Sequence, residues 1–249
     1  MNKIENISVV IIAKNAQKTI KNCLSRLDRF NNVVLYLNDS TDLTNDIAAS
    51  FSNVSIFHGG FEGYAKTKKK ALTHALNDWV LSIDSDEFID DQLVRSLENL
   101  ILSNDTVYKI RRINFYKKKK INFSGIGNEY VIRLFNKNNT NFNSNLVHES
   151  IQTKNQKIRL LKGTVNHYTY SSISHLIQKT DYYSSLYAQQ NIKFSSPLIA
   201  VLKSIFYFFK NYFIFLGFLD GYEGLLICYS GSNEVFYKYL KLYEKNKGK

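Results

Sequence analysis

The chain has 249 residues, room for one generous domain or for a domain with a helical appendage. With 44 % hydrophobic residues and a single proline, Pro197, it has neither the composition of a disordered chain nor Pro-rich linkers. A formal charge of +12 gives a surface that attracts anions; nucleic acid, anionic lipid headgroups and diphosphate sugars all qualify, and charge alone does not choose among them.

The first hundred residues alternate strands and helices. Ile7 to Ala13 is a continuous apolar run, as expected of a strand covered on both faces. Its length marks a strand rather than a signal peptide. Ile20, Cys23, Leu24 and Leu27 follow at helical spacing, and Val33 to Leu37 is a second buried strand. Asn38 to Asp42 carries turn and N-cap chemistry, ahead of a helix face at Ile47, Ala48 and Phe51. Val54 to Phe57 is a short third strand, and Gly59, Gly60 and Gly63 punctuate the loop after it. Lys68, Ala71, Leu72, Ala75 and Leu76 mark a helix. Trp79 to Ile83 is a fourth strand, running straight into Asp84-Ser85-Asp86-Glu87, and Leu93, Leu97, Leu100 and Ile101 mark one more helix.

Repeated strand–helix–strand units predict a parallel, right-handed α/β sheet, in which ligands bind beyond the carboxyl ends of strands. From about residue 106 the pattern changes to longer strands, Val107 to Ile113 and Tyr130 to Phe135, separated by Lys117 to Lys120 (read as a solvated loop) and by Gly125 and Gly127. Beyond about Ser171 the chain reads helical and rich in Tyr, Phe and Lys. The domain reading is therefore 1–170 for an α/β catalytic domain and 171–249 for a helical extension. Cys23 and Cys228 lie far apart and outside any C-x-x-C pattern, which predicts two reduced, buried thiols and a cytoplasmic chain.

The acidic cluster is the main chemical signal. Two carboxylates separated by one residue at a strand end can turn toward one ligand. Mn2+ or Mg2+ is held by one or two carboxylates plus substrate phosphates, and a diphosphate leaving group needs such neutralisation. Asp86 is the candidate metal ligand, with Asp84 reaching the metal through water or the ribose. The bland alternative is an acidic loop capping the next helix through Asp90 or Asp91.

Residues 79 to 89, WVLSIDSDEFI, resemble family 2 glycosyltransferases of the GT-A fold, and most of all bacterial enzymes that add glucose or a related hexose to the lipopolysaccharide inner core. Four more segments match in order: Ile11-Ile12-Ala13-Lys14-Asn15 with Ile20 and Cys23-Leu24; Ser40-Thr41-Asp42 with Thr44; Gly63 to Lys68; and Gly217-Phe218-Leu219-Asp220-Gly221. The resemblance implies a Rossmann-like, mostly parallel sheet flanked by helices. It also implies a UDP-sugar donor bound by Ala13, Asn15, Asp39, Asp42, Lys66, Lys68, Asp84 and Ser85, with Mn2+ or Mg2+ on Asp86 and His167. The acceptor it implies is a lipopolysaccharide or lipooligosaccharide core. Two positions depart from the family: Ala16 stands where a Glu is usual, and Leu37 where an Asp usually contacts the uracil, leaving Asn38 and Asp39 as neighbouring polar candidates.

An inverting transferase needs a group to take the acceptor hydroxyl's proton. Val147-His148-Glu149 resembles a V-H-E element of this subgroup, which makes Glu149 the candidate base, with His148 and then Glu129 behind it. Lys66 and Lys68 fit either the diphosphate or a solvated helix start. Residues 197 to 219 are strongly apolar and aromatic but interrupted by Lys203 and Lys210. They fit either a helix lying in an anionic membrane interface or a helix covering the sheet. A capsule, lipid-carrier or protein acceptor is an alternative enzyme reading. A basic nucleic-acid-binding protein is the alternative from another class, and no helix-turn-helix, RNP or zinc pattern supports it.

Overall fold

A computed structural model describes residues 3–127, 129–143 and 150–247. The chain forms two compact units, one of residues 1–112 and 130–167, the other of residues 113–129 and 168–249.

In the first unit, β1 (Ile4–Ala13), α1 (Ile20–Ser25), β2 (Phe30–Asn38), α2 (Thr44–Ala49), β3 (Val54–Gly59), α3 (Tyr64–Leu72) and β4 (Trp79–Asp84) follow one another as strand–helix repeats. A short β5 (Glu87–Ile89) and α4 (Asp91–Glu98) come next. β6 (Thr106–Tyr116), β8 (Glu129–Asn136) and β9 (Lys157–Tyr170) begin or end here and run on into the second unit; β7 (Lys119–Lys120) lies wholly in the latter. The strand order is β3-β2-β1-β4-β8-β6-β9-β5. β3, β2, β1 and β4 pair in parallel, as the strand–helix repeats predict, while β8 adds to β4 antiparallel.

The apolar runs are continuous because both faces of the parallel part are buried, and side chains alternate between them. Ile7, Val9 and Ile11 of β1, Val33, Leu35 and Leu37 of β2, and Leu81 and Ile83 of β4 pack into one core with α1 and α4. Val10 and Ile12, Val34 and Tyr36, and Val80 pack into a second core with Ala65, Ala71 and Leu72 of α3. Each such fully buried aliphatic side chain stabilises by about 1.5–3 kcal/mol.

Two helices stop earlier than their apolar spacing predicts. α3 ends at Leu72, beyond which the backbone tightens to i→i−3 bonds from His74 N and Ala75 N; the Leu76 N–H goes to Asn32 Oδ1 at 3.2 Å, and Leu76 itself is 81 % exposed. α4 ends at Glu98; the Ile101 carbonyl accepts from the Tyr108 hydroxyl, and the Ile101 side chain is 89 % exposed. The start of α4 is fixed by Asp90, whose side chain accepts from Leu93 N at 2.7 Å and from Thr164 Oγ1 at 2.8 Å. Gly163 has φ +102 there, and a Cβ on it would meet the Leu93 backbone.

The second unit is mainly helical: α5 (Ile173–Gln190), α6 (Pro197–Phe209), a π-helical turn (Lys210–Ile214), a 3-10 turn (Gly217–Asp220) and α7 (Tyr222–Lys247). α5 and α6 both pack on α7. Gly224 of α7 lies against the Gly217 carbonyl, an approach any side chain would block.

Candidate active site

The site in the first unit stands at the carboxyl end of β4. Asp84 closes that strand opposite Ile12 of β1, and the chain turns at once into β5. β5 pairs antiparallel with β9, with Glu87 opposite His167. This register carries a histidine from far along the sequence to the acidic cluster: His167 Nε2 lies 3.3 Å from Asp86 Oδ2.

Asp84 has a different environment. Its Oδ1 is 2.9 Å from Lys68 Nζ, and its Oδ2 2.9 Å from Arg133 Nη2. Burial alone would raise this carboxyl; Lys68 and Arg133 outweigh it and hold the group well below the usual carboxylate range. Arg133 also pairs with Glu87 Oε1, which lies 3.5 Å from Arg112 Nη1, while Glu87 Oε2 accepts from Asp84 N at 3.0 Å. Glu87 is fully buried. This network fixes the turn that aims Asp86. Cys23 of α1 packs beneath it, its Sγ 3.9 Å from the Asp84 carbonyl; burial, then the charges of Glu87, Asp86 and Asp84, push its thiol well up. Both cysteines are buried free thiols, as expected.

Lys68 and Asp42, read in the sequence as donor contacts, each make bonds within the protein. Lys68 is buried on α3 and neutralises Asp84. Asp42 Oδ2 accepts from Gln17 N at 3.0 Å, and its Oδ1 accepts from the backbone N–H and the hydroxyl of Thr44. Ala16 N donates to Thr44 Oγ1 at 2.8 Å, and Thr41 N to Asn15 Oδ1 at 2.9 Å. The Ser40–Thr44 turn thus clasps the loop after β1. Asn15 and Asp39 both have positive φ, 51 and 49 degrees, at the ends of adjacent strands. Ala13 is buried at the end of β1, while Asp39 and Lys66 are exposed and Ser85 is half-buried. Asn38, at the end of β2, is 4 % exposed, and its Oδ1 has no hydrogen-bond partner among the described residues.

His148 and Glu149 lie outside the described residues. Glu129 belongs to the second unit, where its Oε2 accepts from Asn114 Nδ2 at 2.7 Å; the same amide nitrogen reaches the Ile126 carbonyl, and Asn114 Oδ1 accepts from Thr169 Oγ1. In that unit Asp220 accepts from Asn122 N, Phe123 N and Ser124 Oγ at 2.9–3.0 Å and so pins the loop leading to Glu129. Lys119, read as solvated, donates to the Asp220 carbonyl and to Glu223.

Arg133, Arg112 and Asn114 were not singled out in the sequence. They sit on β6 and β8 in strands whose alternation announces burial but not partners.

Among the described residues no three His, Cys, Asp or Glu side chains gather as a metal cage. The donor set that does form is one carboxylate oxygen and one imidazole nitrogen. It suits an ion that completes its coordination with substrate phosphates and water.

The family model for glycosyl transferase family 2 matches residues 8–154, more than half of the chain. The chain belongs to this family. It is 30 % identical to an uncharacterized glycosyltransferase of Rickettsia typhi over 241 residues, 89 % of this chain and 81 % of the relative. It is 24 % identical over 251 residues to the lipopolysaccharide core biosynthesis glycosyltransferase LpsC of Rhizobium meliloti, covering 96 % of this chain and 93 % of that one. Among solved structures it is similar to the mannosyltransferase PcManGT from Pyrobaculum calidifontis, in complex with GDP-Man and Mn2+, with a TM-score of 0.51 and 12 % identity, over 92 % of this chain and 73 % of that one. The fold is GT-A, and the protein is a glycosyltransferase.

Proposed function

We propose that this protein is an inverting, metal-dependent hexosyltransferase that moves glucose or a related hexose from UDP to a lipopolysaccharide or lipooligosaccharide core acceptor at the cytoplasmic face of a membrane. The observation that carries the reading is the Asp86–His167 pair, set at the end of β4 by the β5–β9 register. The likeness to LpsC supports the core acceptor, and the mannosyltransferase solved with Mn2+ supports the choice of metal.

Asp86 and His167 would hold Mn2+, which supplies charge neutralisation for a departing diphosphate. Lys66, exposed near the start of α3, would add a cation for the same charge. Asp39 suits the ribose hydroxyls. Asn38 offers a buried carboxamide whose oxygen lacks a partner; such a group can accept from the imide N–H of uracil and donate to its carbonyl, a pairing the usual Asp makes only by half. Asp84 acts through Lys68 and Arg133 to keep the turn in shape. Glu149 takes the proton from the acceptor hydroxyl as that oxygen attacks the anomeric carbon on the face opposite the diphosphate, so one displacement inverts the configuration.

The test is a thermal-shift panel of nucleotides and nucleotide sugars with and without Mn2+, since a ligand of the folded state raises the midpoint by mass action. UDP and a UDP-hexose should shift it only with the metal present. A shift with GDP-mannose and none with any uridine nucleotide would overturn the donor assignment.

A further inference from the structure

The segment 197–219 is turned inside out relative to a helix that covers a protein core. In the second unit α6 points its small residues inward: Ala200 is buried, and the Ser204 carbonyl accepts from Ser232 Oγ of α7 at 2.8 Å. Tyr207 packs on Gly231 of α7, where a Cβ would stand 2.6 Å from the ring. The large apolar residues point the other way. Leu198, Leu202, Ile205, Phe206 and Phe209 are 50–66 % exposed. A helix on a soluble core shows the reverse stripe.

The exposed face continues beyond α6. Phe213 and Ile214 of the π-helical turn are 49 % and 68 % exposed, Leu219 is 55 % exposed, and Tyr222 and Tyr229 extend it onto the first turns of α7. At about 200 Å2 per phenylalanine side chain, Phe206, Phe209 and Phe213 alone show on the order of 300 Å2, as much as the whole largest apolar patch of many soluble monomers.

Charge and length identify what covers it. From residue 182 to residue 219 there is no Asp or Glu, whereas Lys193, Lys203 and Lys210 are present. Lys203 Nζ lies 4.9 Å from the Tyr239 ring and Lys210 Nζ 5.2 Å from the Phe215 ring, so these ammonium groups ride along aromatic surface, as they do at a headgroup boundary. The 18 residues Pro197–Ile214 have a mean hydropathy of 1.2 with 17 % of the stretch buried. With the π-helical turn the helix is long and apolar enough by length and composition to cross a bilayer, about 27 Å against a hydrocarbon core of about 30 Å, but its small face is packed on α7 and Lys203 and Lys210 interrupt the apolar run, which favours a helix lying in the plane. A second copy of this chain would bring the same lysines face to face; an anionic leaflet neutralises them.

We propose that α6, the π-helical turn and the 3-10 turn form an in-plane anchor that lies in the interface of an anionic bilayer, its phenylalanines among the acyl chains and Lys203 and Lys210 at the phosphates. The inference names the surface that meets the membrane; only its link to a glycolipid acceptor rests on the function proposed above.

The experiment is vesicle co-sedimentation of the full chain with phosphatidylglycerol-containing and pure phosphatidylcholine vesicles. Wild type should partition onto the anionic vesicles. Phe206→Ser/Phe209→Ser/Phe213→Ser should reduce that partition at least tenfold while its melting midpoint and its UDP-plus-Mn2+ shift stay those of wild type. About half or more of each side chain is exposed, and the ring contacts of Phe209 and Phe213 stay within the same helix, so the packing of α6 on α7 should survive. Lys203→Glu/Lys210→Glu should weaken binding to anionic vesicles severalfold, and an equal loss should follow from added salt. Equal binding by wild type and the triple-serine variant, or no vesicle binding by folded wild type, overturns the anchor. So does a lipid-free dimer of wild type that the triple variant abolishes. Asp86→Ala should bind vesicles as wild type does. If no nucleotide binds but the vesicle results hold, the donor and metal reading proposed above fails and the anchor stands.

Discussion

His167 reaches Asp86 because it sits opposite Glu87 in the β5–β9 ladder, and the two side chains meet at 3.3 Å. The ladder is held by backbone hydrogen bonds and not by the imidazole, so His167→Ala should leave the fold intact while removing one of the two metal donors proposed above. We expect His167→Ala to raise the Mn2+ concentration needed for half-maximal nucleotide binding by at least tenfold, and Asp86→Ala to abolish metal-dependent binding and turnover. Nucleotide titrations at several Mn2+ concentrations check both. Full activity in Asp86→Ala would remove the metal assignment.

Glu87 predicts a different phenotype from its neighbours. It is buried with Arg133 and Arg112 as counter-ions, so removing Arg133 leaves its buried charge with only the longer Arg112 contact. Arg133→Met should therefore cost stability, up to the roughly 3–5 kcal/mol of a broken buried pair and less to the extent that Arg112 and Lys68 still neutralise Glu87 and Asp84. Denaturant unfolding measures it. A loss of activity with no loss of stability would mean that Arg133 serves the substrate and not the turn.

Asp42 should act as a pH-dependent clasp. Burial raises its carboxyl, but the Thr44 hydroxyl and the Gln17 and Thr44 N–H groups outweigh that and leave it below its ordinary value. A carboxyl with a depressed folded value contributes stability above the ordinary carboxylate range, and loses it as pH falls through the depressed value. Asp42→Asn should thus be destabilising at pH 7 and lose its effect in acid, where wild type has lost the same contribution. Melting curves of both proteins across pH 2 to 7, a range chosen to span the usual carboxylate titration near 3.9, would show two lines converging.

Glu234 has the opposite sign. It lines a cavity of about 70 Å3 in the second unit with Tyr170, Tyr183 and Tyr207, and burial raises its carboxyl despite Lys238. A raised folded value penalises folding once pH exceeds the ordinary glutamate value, because the unfolded chain then ionises and the folded one resists. Glu234→Gln should raise the melting midpoint at pH 8 and leave it nearly unchanged at pH 4. A midpoint lowered at both values would mean that the carboxylate is paired and stabilising.

The parallel core was legible because β1, β2 and β4 are buried on both faces, which leaves unbroken apolar runs. The acid run after Trp79–Ile83 marked the site because charges at the end of such a run have no core to enter. What was hidden depends on pairing between distant segments. Nothing local in β8 says that Arg133 meets Asp84 and Glu87. The clasp between Asp42 and Gln17, and between Thr44 and Ala16, was hidden because Ala16 and Gln17 lie on another loop and act through backbone N–H groups common to every sequence. In α6 the apolar content was visible, but a run apolar on nearly all sides does not say which side faces in. Ala200, Ser204 and Gly231 decided it through packing.

The identity of the base separates two carboxylates. Glu149 carries the resemblance to a V-H-E element. Glu129 carries a visible geometry, held by Asn114 on a loop pinned by Asp220. A sugar hydroxyl is a poor nucleophile, and removing its proton in the transition state typically contributes about 10² to 10⁴ in rate. Glu149→Gln should lower kcat by that order with donor affinity near wild type, because the base does not hold the diphosphate. His148→Ala should be milder if the imidazole only orients its neighbour. Glu129→Gln keeps a side chain that Asn114 can still bond, so it should change kcat by less than tenfold if Glu129 is structural. Single-turnover rates with measured donor affinities decide the matter, and the product's anomeric configuration checks the single displacement independently. If Glu129→Gln collapses kcat while Glu149→Gln turns over normally, the base is Glu129, and Asp220→Asn, by loosening the loop, should then reduce kcat without changing donor affinity.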